Sequence, residues 1–327
     1  MNRPEVTIVV SPRERFSVTR ATLDTLLEVT PPPFELVYVD GGVPKPLRRW
    51  LQSKADSRGF RLPGDGSCLV PDHAHNLGFA SVYTKYVVFL DNDVMLSSGW
   101  LATLVDCTEK FGARIVGRLY CADRPLHTVV HMAGGTAHIE QKDGTRRLVE
   151  RHLPMHKTVS AVQRKLARGP TEQLEFHCLL VRSDAMRALG PLDARFCSVP
   201  EGQIDLCMRA RAQGGGVWLA PEAVVTYDRP PPMHMYDVPY FLIRWSELRG
   251  RSGLEHFRRQ WDLAADDPYF VRQLQFMRWQ RSHAMLTVRR LLRPLPQARR
   301  ERSLEWLARR ITEAMETLVK PESAHGW

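Results

Sequence analysis

The stretch Tyr86-Val87-Val88-Phe89-Leu90-Asp91-Asn92-Asp93-Val94 decides the fold, because five apolar or aromatic residues run without interruption into two carboxylates one residue apart. A short β-branched and aromatic run with no polar alternation is the pattern of a strand covered on both faces. Such strands build parallel α/β sheets, whose ligands sit beyond the carboxyl strand ends. Asp91 and Asp93 stand at that edge. In an extended backbone the i, i+2 spacing puts both side chains on one face, whereas a bend after Asp91 spreads them around a cation. Two hard oxygen ligands suit Mg²⁺ or Mn²⁺. The competing reading is an Asp-Asn-Asp turn that only closes a strand.

The neighbours favour a site. Val6-Thr7-Ile8-Val9-Val10 reads as a first strand, and Phe34-Glu35-Leu36-Val37-Tyr38-Val39-Asp40-Gly41-Gly42 as a second that also ends in an acid. Between them, Val18, Leu23, Leu26, Leu27 and Val29 recur at roughly helical spacing over residues 17–29. The unit is strand, helix, strand, with Asp40 at the second carboxyl end.

These motifs and those that follow resemble the family 2 glycosyltransferases of the GT-A fold. In order they are VTIVV, FELVYVDGG, HNLGFA, YVVFLDNDV with GWL after it, IVGRLY, HMAGG, CLLVRSDAMRALGPLDARF, EGQIDLCMRARAQGG and WLAPEAVVTY, across about residues 5–228. The resemblance implies an α/β fold with a Rossmann-like mixed central sheet flanked by helices. It also implies a nucleoside-diphosphate sugar as donor, a divalent cation (Mg²⁺ or Mn²⁺), and inverting transfer to an acceptor hydroxyl. Carried over by position, Asp40 matches the acid that binds the nucleotide base, and a turn cap is its structural alternative. Asn76 and Gly78 match a segment lining the nucleotide pocket, with His75 where many members have Arg; a helix N-cap is the alternative there. Asp91 matches the acid near the ribose and Asp93 the acid on the metal, both counted as metal-site residues. A bound cation stabilises the charge that gathers on the departing diphosphate.

The chain departs from the family pattern at two places. Members commonly show Glu-Asp, one residue, then Asp-Leu, and the Glu-Asp pair holds the base. Here Pro200-Glu201-Gly202-Gln203-Ile204-Asp205-Leu206 aligns Asp205-Leu206 but leaves Gly202 or Gln203 at the base position. Glu201, in a loop freed by Gly202, is the first candidate base; Asp205 is the second, unless it forms an i, i+4 pair with Arg209. The other departure is the additional metal ligand, for which Asp228 and His234 are the choices, or water alone.

With 327 residues the chain is long enough for a large catalytic domain, read as 1–235, plus a helical basic extension, 236–327. Six scattered cysteines without Cys-x-x-Cys spacing read as buried thiols in a reducing compartment. The N-terminus enters a core strand without an apolar leader, and no stretch approaches a membrane span, so a cytoplasmic protein is expected. Net charge is +10, and arginines between 278 and 310 alternate with Trp279, Leu286, Leu291, Leu304 and Trp306 on either side of Pro294-Leu295-Pro296. That pattern suits a helical lid, or peripheral contact with anionic lipid at the inner membrane surface. Nucleic acid is not an expected partner, since the arginines fit no binding module. Acceptors compatible with the reading are a glycan, a lipid-linked sugar or a small molecule.

Gln275-Phe276-Met277-Arg278-Trp279 matches the Gln-x-x-Arg-Trp signature of processive synthases, and is read as a chance match on an amphipathic helix. His127, His131 and His138 flank Gly134-Gly135 and read as satisfied strand or loop histidines. Residues 140–151 read as an exposed hairpin or loop, and 157–168 as a basic helix. The alternative function is a catalytically impaired GT-A domain that binds a nucleotide sugar or glycan. A nucleotidyltransferase is disfavoured by Ser11-Pro12-Arg13-Glu14-Arg15, where a Gly-rich phosphate loop would stand.

Overall fold

The computed structural model describes residues 3–153, 156–196, 200–229 and 233–319, so Cys197 and the Pro230-Pro231-Pro232 break lie outside the described residues. The expected first unit is present as β1 (Val6–Ser11), α1 (Thr19–Val29) and β2 (Glu35–Tyr38). Next come α2 (Lys45–Arg58), α3 (Pro71–Phe79), β3 (Tyr86–Asp91), β4 (Val94–Leu96), α4 (Trp100–Phe111), β5 (Ile115–Ala122) and β6 (Val129–Met132). A hairpin, β7 (Gly135–Lys142) and β8 (Thr145–His152), precedes β9 (Lys157–Thr158), α5 (Val159–Val162) and β10 (Gly169–Pro170). The sheet is completed by β11 (Cys178–Arg182) and β12 (Val217–Tyr227), with α6 (Ser183–Leu189) and α7 (Glu201–Ala212) between them. Five helices follow: α8 (Val238–Arg244), α9 (Glu247–Gln260), α10 (Pro268–Ala284), α11 (Leu286–Leu291) and α12 (Gln297–Glu316).

The main sheet runs β10-β12-β5-β11-β3-β1-β2, with β4 on β12 and β6 and β9 beyond β5. β1 lies parallel to both β2 and β3, while β11 enters antiparallel between β3 and β5, so the sheet is mixed. Every residue of β1 and β3 is buried, as expected for strands without polar alternation. The register Ser11↔Asp91 brings the carboxyl ends of β1 and β3 level, which is where the first acid belongs.

The hairpin at 140–151 is confirmed. Its turn is Asp143-Gly144, both at positive φ (51° and 73°), the backbone that a two-residue hairpin loop demands. The basic helix expected over 157–168 is not there: Lys157 and Thr158 pair with β6, one helical turn follows, and Gln163–Lys165 is a 3₁₀ turn. Strand pairing by Lys157-Thr158 outweighs the helical charge pattern.

The C-terminal helices bury Val238, Phe241, Leu242, Trp245, Leu254 and Phe257 together with Ile204 and Met208 of α7 and with Ala137 and Leu148 of the hairpin. At the far end Val319 joins the core under β1 and forms a parallel bridge with Cys68, whose N–H donates to the Leu318 carbonyl at 3.2 Å. No described helix is long and apolar enough to cross a membrane. The five described cysteines are free and buried.

Candidate active site

β3 stops at Asp91, whose N–H donates to the His177 carbonyl at 3.2 Å, and the chain turns through Asn92-Asp93 into β4. The bend that spreads the two acids is therefore the observed geometry. Asn92 makes it rigid: its Oδ1 accepts the Arg13 N–H at 3.0 Å, and its Nδ2 donates to the Arg15 carbonyl at 3.2 Å and to Thr19 Oγ1 at 3.0 Å. The turn is thereby tied to the loop that follows β1.

Asp91, Asp93 and His177 are buried, and one possible ligand atom from each lies within 4.8 Å of the others. His177 Nδ1 is 2.9 Å from Asp91 Oδ2, and Arg13 Nη1 donates to the same oxygen at 3.1 Å. Burial alone would raise the Asp91 pKa, but Arg13 and His177 overcome it and hold the group well below the usual carboxylate range. Asp93 goes the other way, pushed well above that range by burial and by the charges of Asp91 and Glu14. Neither Asp93 oxygen has a hydrogen-bond partner among the described residues. Buried carboxylate oxygens without donors are costly unless a proton or a cation meets them, so this donor set fits a divalent metal.

Asp91 and His177 line a cavity of about 450 Å³, within the range of small-molecule sites. One wall carries a second charged cluster. His177 Nε2 lies 3.4 Å from Glu175 Oε2; Glu175 Oε1 lies 3.9 Å from His131 Nε2 and 3.8 Å from His152 Nε2; and His152 is 3.0 Å from Glu150. Burial lowers both imidazoles, but Glu150 and Glu175 carry His152 up to about 9, whereas His131 falls to about 4. One histidine is thus charged and its neighbour neutral at pH 7. The C-terminal helices also line the cavity, with Arg244 and Trp245 from the end of α8 and Phe276, Trp279 and Gln280 from α10.

The sequence-derived residues separate into two groups. Asp91 and Asp93 come together at the end of β3, and Asp91 lines the cavity. Asp40 is buried outside it, accepting the Val43 N–H at 3.1 Å and pairing with Arg48 at 2.6 Å. Asn76 clamps Leu192, donating to its carbonyl at 2.8 Å and accepting its N–H at 2.9 Å. Gly78 presses α3 onto the sheet, since a Cβ there would lie 2.2 Å from Val9 Cγ1. Glu201 is buried beside the cavity wall and accepts the Tyr269 hydroxyl proton at 2.6 Å, and burial pushes its pKa up to about 8. Asp205 is held by Arg209 and Gln260, each at 2.6 Å, and by the Trp261 indole at 3.1 Å.

Neither expected additional ligand reaches the acids. Asp228 forms a two-pronged pair with Arg124, and His234 packs on Tyr236 at 4.0 Å. The side chain that stands beside them is His177. Its signal was present in Glu175-Phe176-His177-Cys178, where period-two spacing just before a strand puts Glu175 and His177 on one face. The Gln-x-x-Arg-Trp helix is also not inert, because Trp279 lines the cavity although Arg278 faces away to Glu247 at 2.7 Å.

Residues 7–169 match the sequence profile described as Glycosyl transferase family 2. A relative in Sinorhizobium fredii, "Uncharacterized protein y4gI", is 25% identical over 79% of this chain and 28% of its own length. The "Pre-mycofactocin glycosyltransferase" of Mycobacterium tuberculosis is 26% identical over 68% of this chain and 43% of its own length. The chain thus spans less than half the length of either relative. Among solved structures, that of GalNAc-T7 with UDP, GalNAc and Mn2+ superposes with a TM-score of 0.54 at 14% identity, covering 84% of this chain and 57% of that one. Together the matched segment and the mixed sheet place residues 7–169 of this chain in glycosyl transferase family 2, on the GT-A fold.

Proposed function

We propose that this protein transfers a sugar from a nucleoside-diphosphate sugar to an acceptor hydroxyl, with inversion at the anomeric carbon. The observation that carries the reading is the Asp91, Asp93 and His177 cluster at the end of β3, with both Asp93 oxygens buried and lacking donors. Mg²⁺ or Mn²⁺ held there would offset the charge of the leaving diphosphate. Arg13, fixed against Asp91, adds a partly buried positive charge on the same side. Asp40 at the end of β2 is the proposed contact for the nucleotide base, reached by exchange of its Arg48 partner. The donor classes to test first come from the UDP and Mn2+ bound by GalNAc-T7, a protein of the same fold.

The test is a thermal-shift panel of UDP-N-acetylgalactosamine, UDP-glucose, GDP-mannose and dTDP-rhamnose with and without Mn²⁺, followed by release of nucleoside diphosphate. Metal-dependent stabilisation and turnover by one donor is the expected result. Asp93→Ala should abolish that turnover while the protein remains folded; near-normal turnover in the variant would sink the reading.

A nucleotide-sugar or glycan binder without turnover is the second reading. It is favoured by Glu201 and Asp205, which are occupied by Tyr269 and by Arg209, Gln260 and Trp261 and do not border the cavity. Contact with an anionic membrane surface is part of the proposal, supported by Arg289 and Arg290 beside the exposed Leu286 and Leu291 of α11. Flotation with phosphatidylglycerol vesicles but not with phosphatidylcholine vesicles is the expected outcome.

A further inference from the structure

We propose that Asp72 is the base that deprotonates the acceptor, its carboxylate standing in the space that Gly202 leaves open. The inference rests on the glycosyl-transfer reading and names the group that reading lacks. Aligning Asp205-Leu206 with the family pattern puts the expected carboxylates at positions 202 and 203, where this chain has Gly and Gln. A Cβ built on Gly202 would lie 2.2 Å from Asp72 Oδ2, 3.1 Å from Cγ and 3.3 Å from Oδ1. No side chain fits at position 202 while Asp72 is in place. The carboxylate missing from α7 is supplied by α3, one helix pointing its acid at the first turn of the other.

That position is fixed from three sides. Gly78 lets α3 press against Val9 and Val39 of the sheet. Asn76 binds both backbone groups of Leu192, in the loop that leads toward α7. Asp72 lies in the first turn of α3 after Pro71, where the helix dipole favours a negative charge. Asp72, Gly202, Gln203, Asp91 and His177 all border the one cavity, and Asp72 is 6% exposed. The group is shielded yet open to a bound hydroxyl. Gln203 supplies no base, and its Oε1 accepts the Phe176 N–H at 3.3 Å.

In the proposed step the acceptor O–H proton passes to the Asp72 carboxylate. The oxygen's electron pair forms the bond to the anomeric carbon, and the bond from that carbon to the diphosphate oxygen breaks. Its electron pair leaves on the nucleoside diphosphate, so protons and electrons balance without a further reactant.

The experiment uses the full chain, Mn²⁺ and whichever nucleotide sugar of the panel the wild type turns over. Asp72→Asn should lower turnover by about 100-fold or more, the scale of a lost general base, while the donor-induced thermal shift is retained. Gly202→Ala, which evicts the carboxylate without removing any charge, should lower turnover as well. The exchange Asp72→Gly with Gly202→Asp should regain roughly tenfold over Asp72→Asn, because it returns a carboxylate to the same space. Turnover of Asp72→Asn or of Gly202→Ala near the wild-type rate overturns the proposal. Should Asp72→Asn fail to fold, Gly202→Ala decides. A wild type that is stabilised by a donor but turns over none of them overturns the transfer reading itself, and the base with it, in favour of a binder.

Discussion

Glu201 shows how a single buried carboxyl ties chemistry to stability. Its pKa rises from 4.5 to about 8, chiefly through burial, against the opposing hydrogen bond from Tyr269. A carboxyl whose pKa is raised on folding binds its proton more tightly in the native state. Stability therefore falls as pH climbs from about 4.5 to about 8 and stays low above that. Glu201→Gln keeps an oxygen for the Tyr269 hydroxyl and removes the titration. The variant should gain on the wild type by a few kcal/mol between pH 5 and pH 9, at about 1.4 kcal/mol for each pKa unit. Urea midpoints measured across that range check it; parallel curves for the two proteins would show that Glu201 is not a buried titrating acid.

At the scale of elements, α10 shows why a motif and a helix face are different things. Residues 276, 279 and 280 share one face by the i, i+3, i+4 rule, and Phe276, Trp279 and Gln280 reach the cavity together with Arg272 and Gln273 one turn earlier. Position 278 lies about 100° round from 279, which sends Arg278 to Glu247. Trp279 stacks on Phe276 with centroids 5.7 Å apart and is 48% exposed, a flat apolar face offered to whatever fills the cavity. Trp279→Ala should cost under about 1 kcal/mol in stability, and should raise the acceptor KM roughly tenfold with kcat little changed, as for lost uniform binding. Steady-state transfer kinetics with the donor saturating would show it. The strands were legible because β1, β2 and β3 are mainly β-branched and aromatic runs, and the acids from Asp91 on mark the end of β3. The pairing of His177 with Asp91 was not, because it depends on β11 entering antiparallel beside β3, a long-range register that the local Glu175-x-His177 spacing does not encode. For the same reason the pairing of Asp72 with Gly202, 130 positions apart, is visible only once α3 and α7 are docked.

For the whole molecule, the boundary expected at 235 and 236 marks a change in composition, yet hydrophobic packing runs across it. Phe257 and Leu254 are buried with Ile204 and Met208, residues of the helix whose first turn meets Asp72. The Tyr240 hydroxyl donates to the Leu69 carbonyl at 2.8 Å and lies 3.2 Å from that of Pro12, tying α8 to the loops at the carboxyl ends of the sheet. Elements that share a core and backbone hydrogen bonds melt together, so one cooperative transition is expected despite the length of the chain. Phe257→Ala removes a fully buried ring and should cost about 3–5 kcal/mol. Calorimetry should then show a single peak moved to lower temperature, with the donor-induced shift weakened because the wall made by Trp245 and Trp279 loosens with it. Two peaks, one holding the wild-type midpoint, would mean that the C-terminal helices fold apart from the sheet and that the cavity wall they form is a docked module.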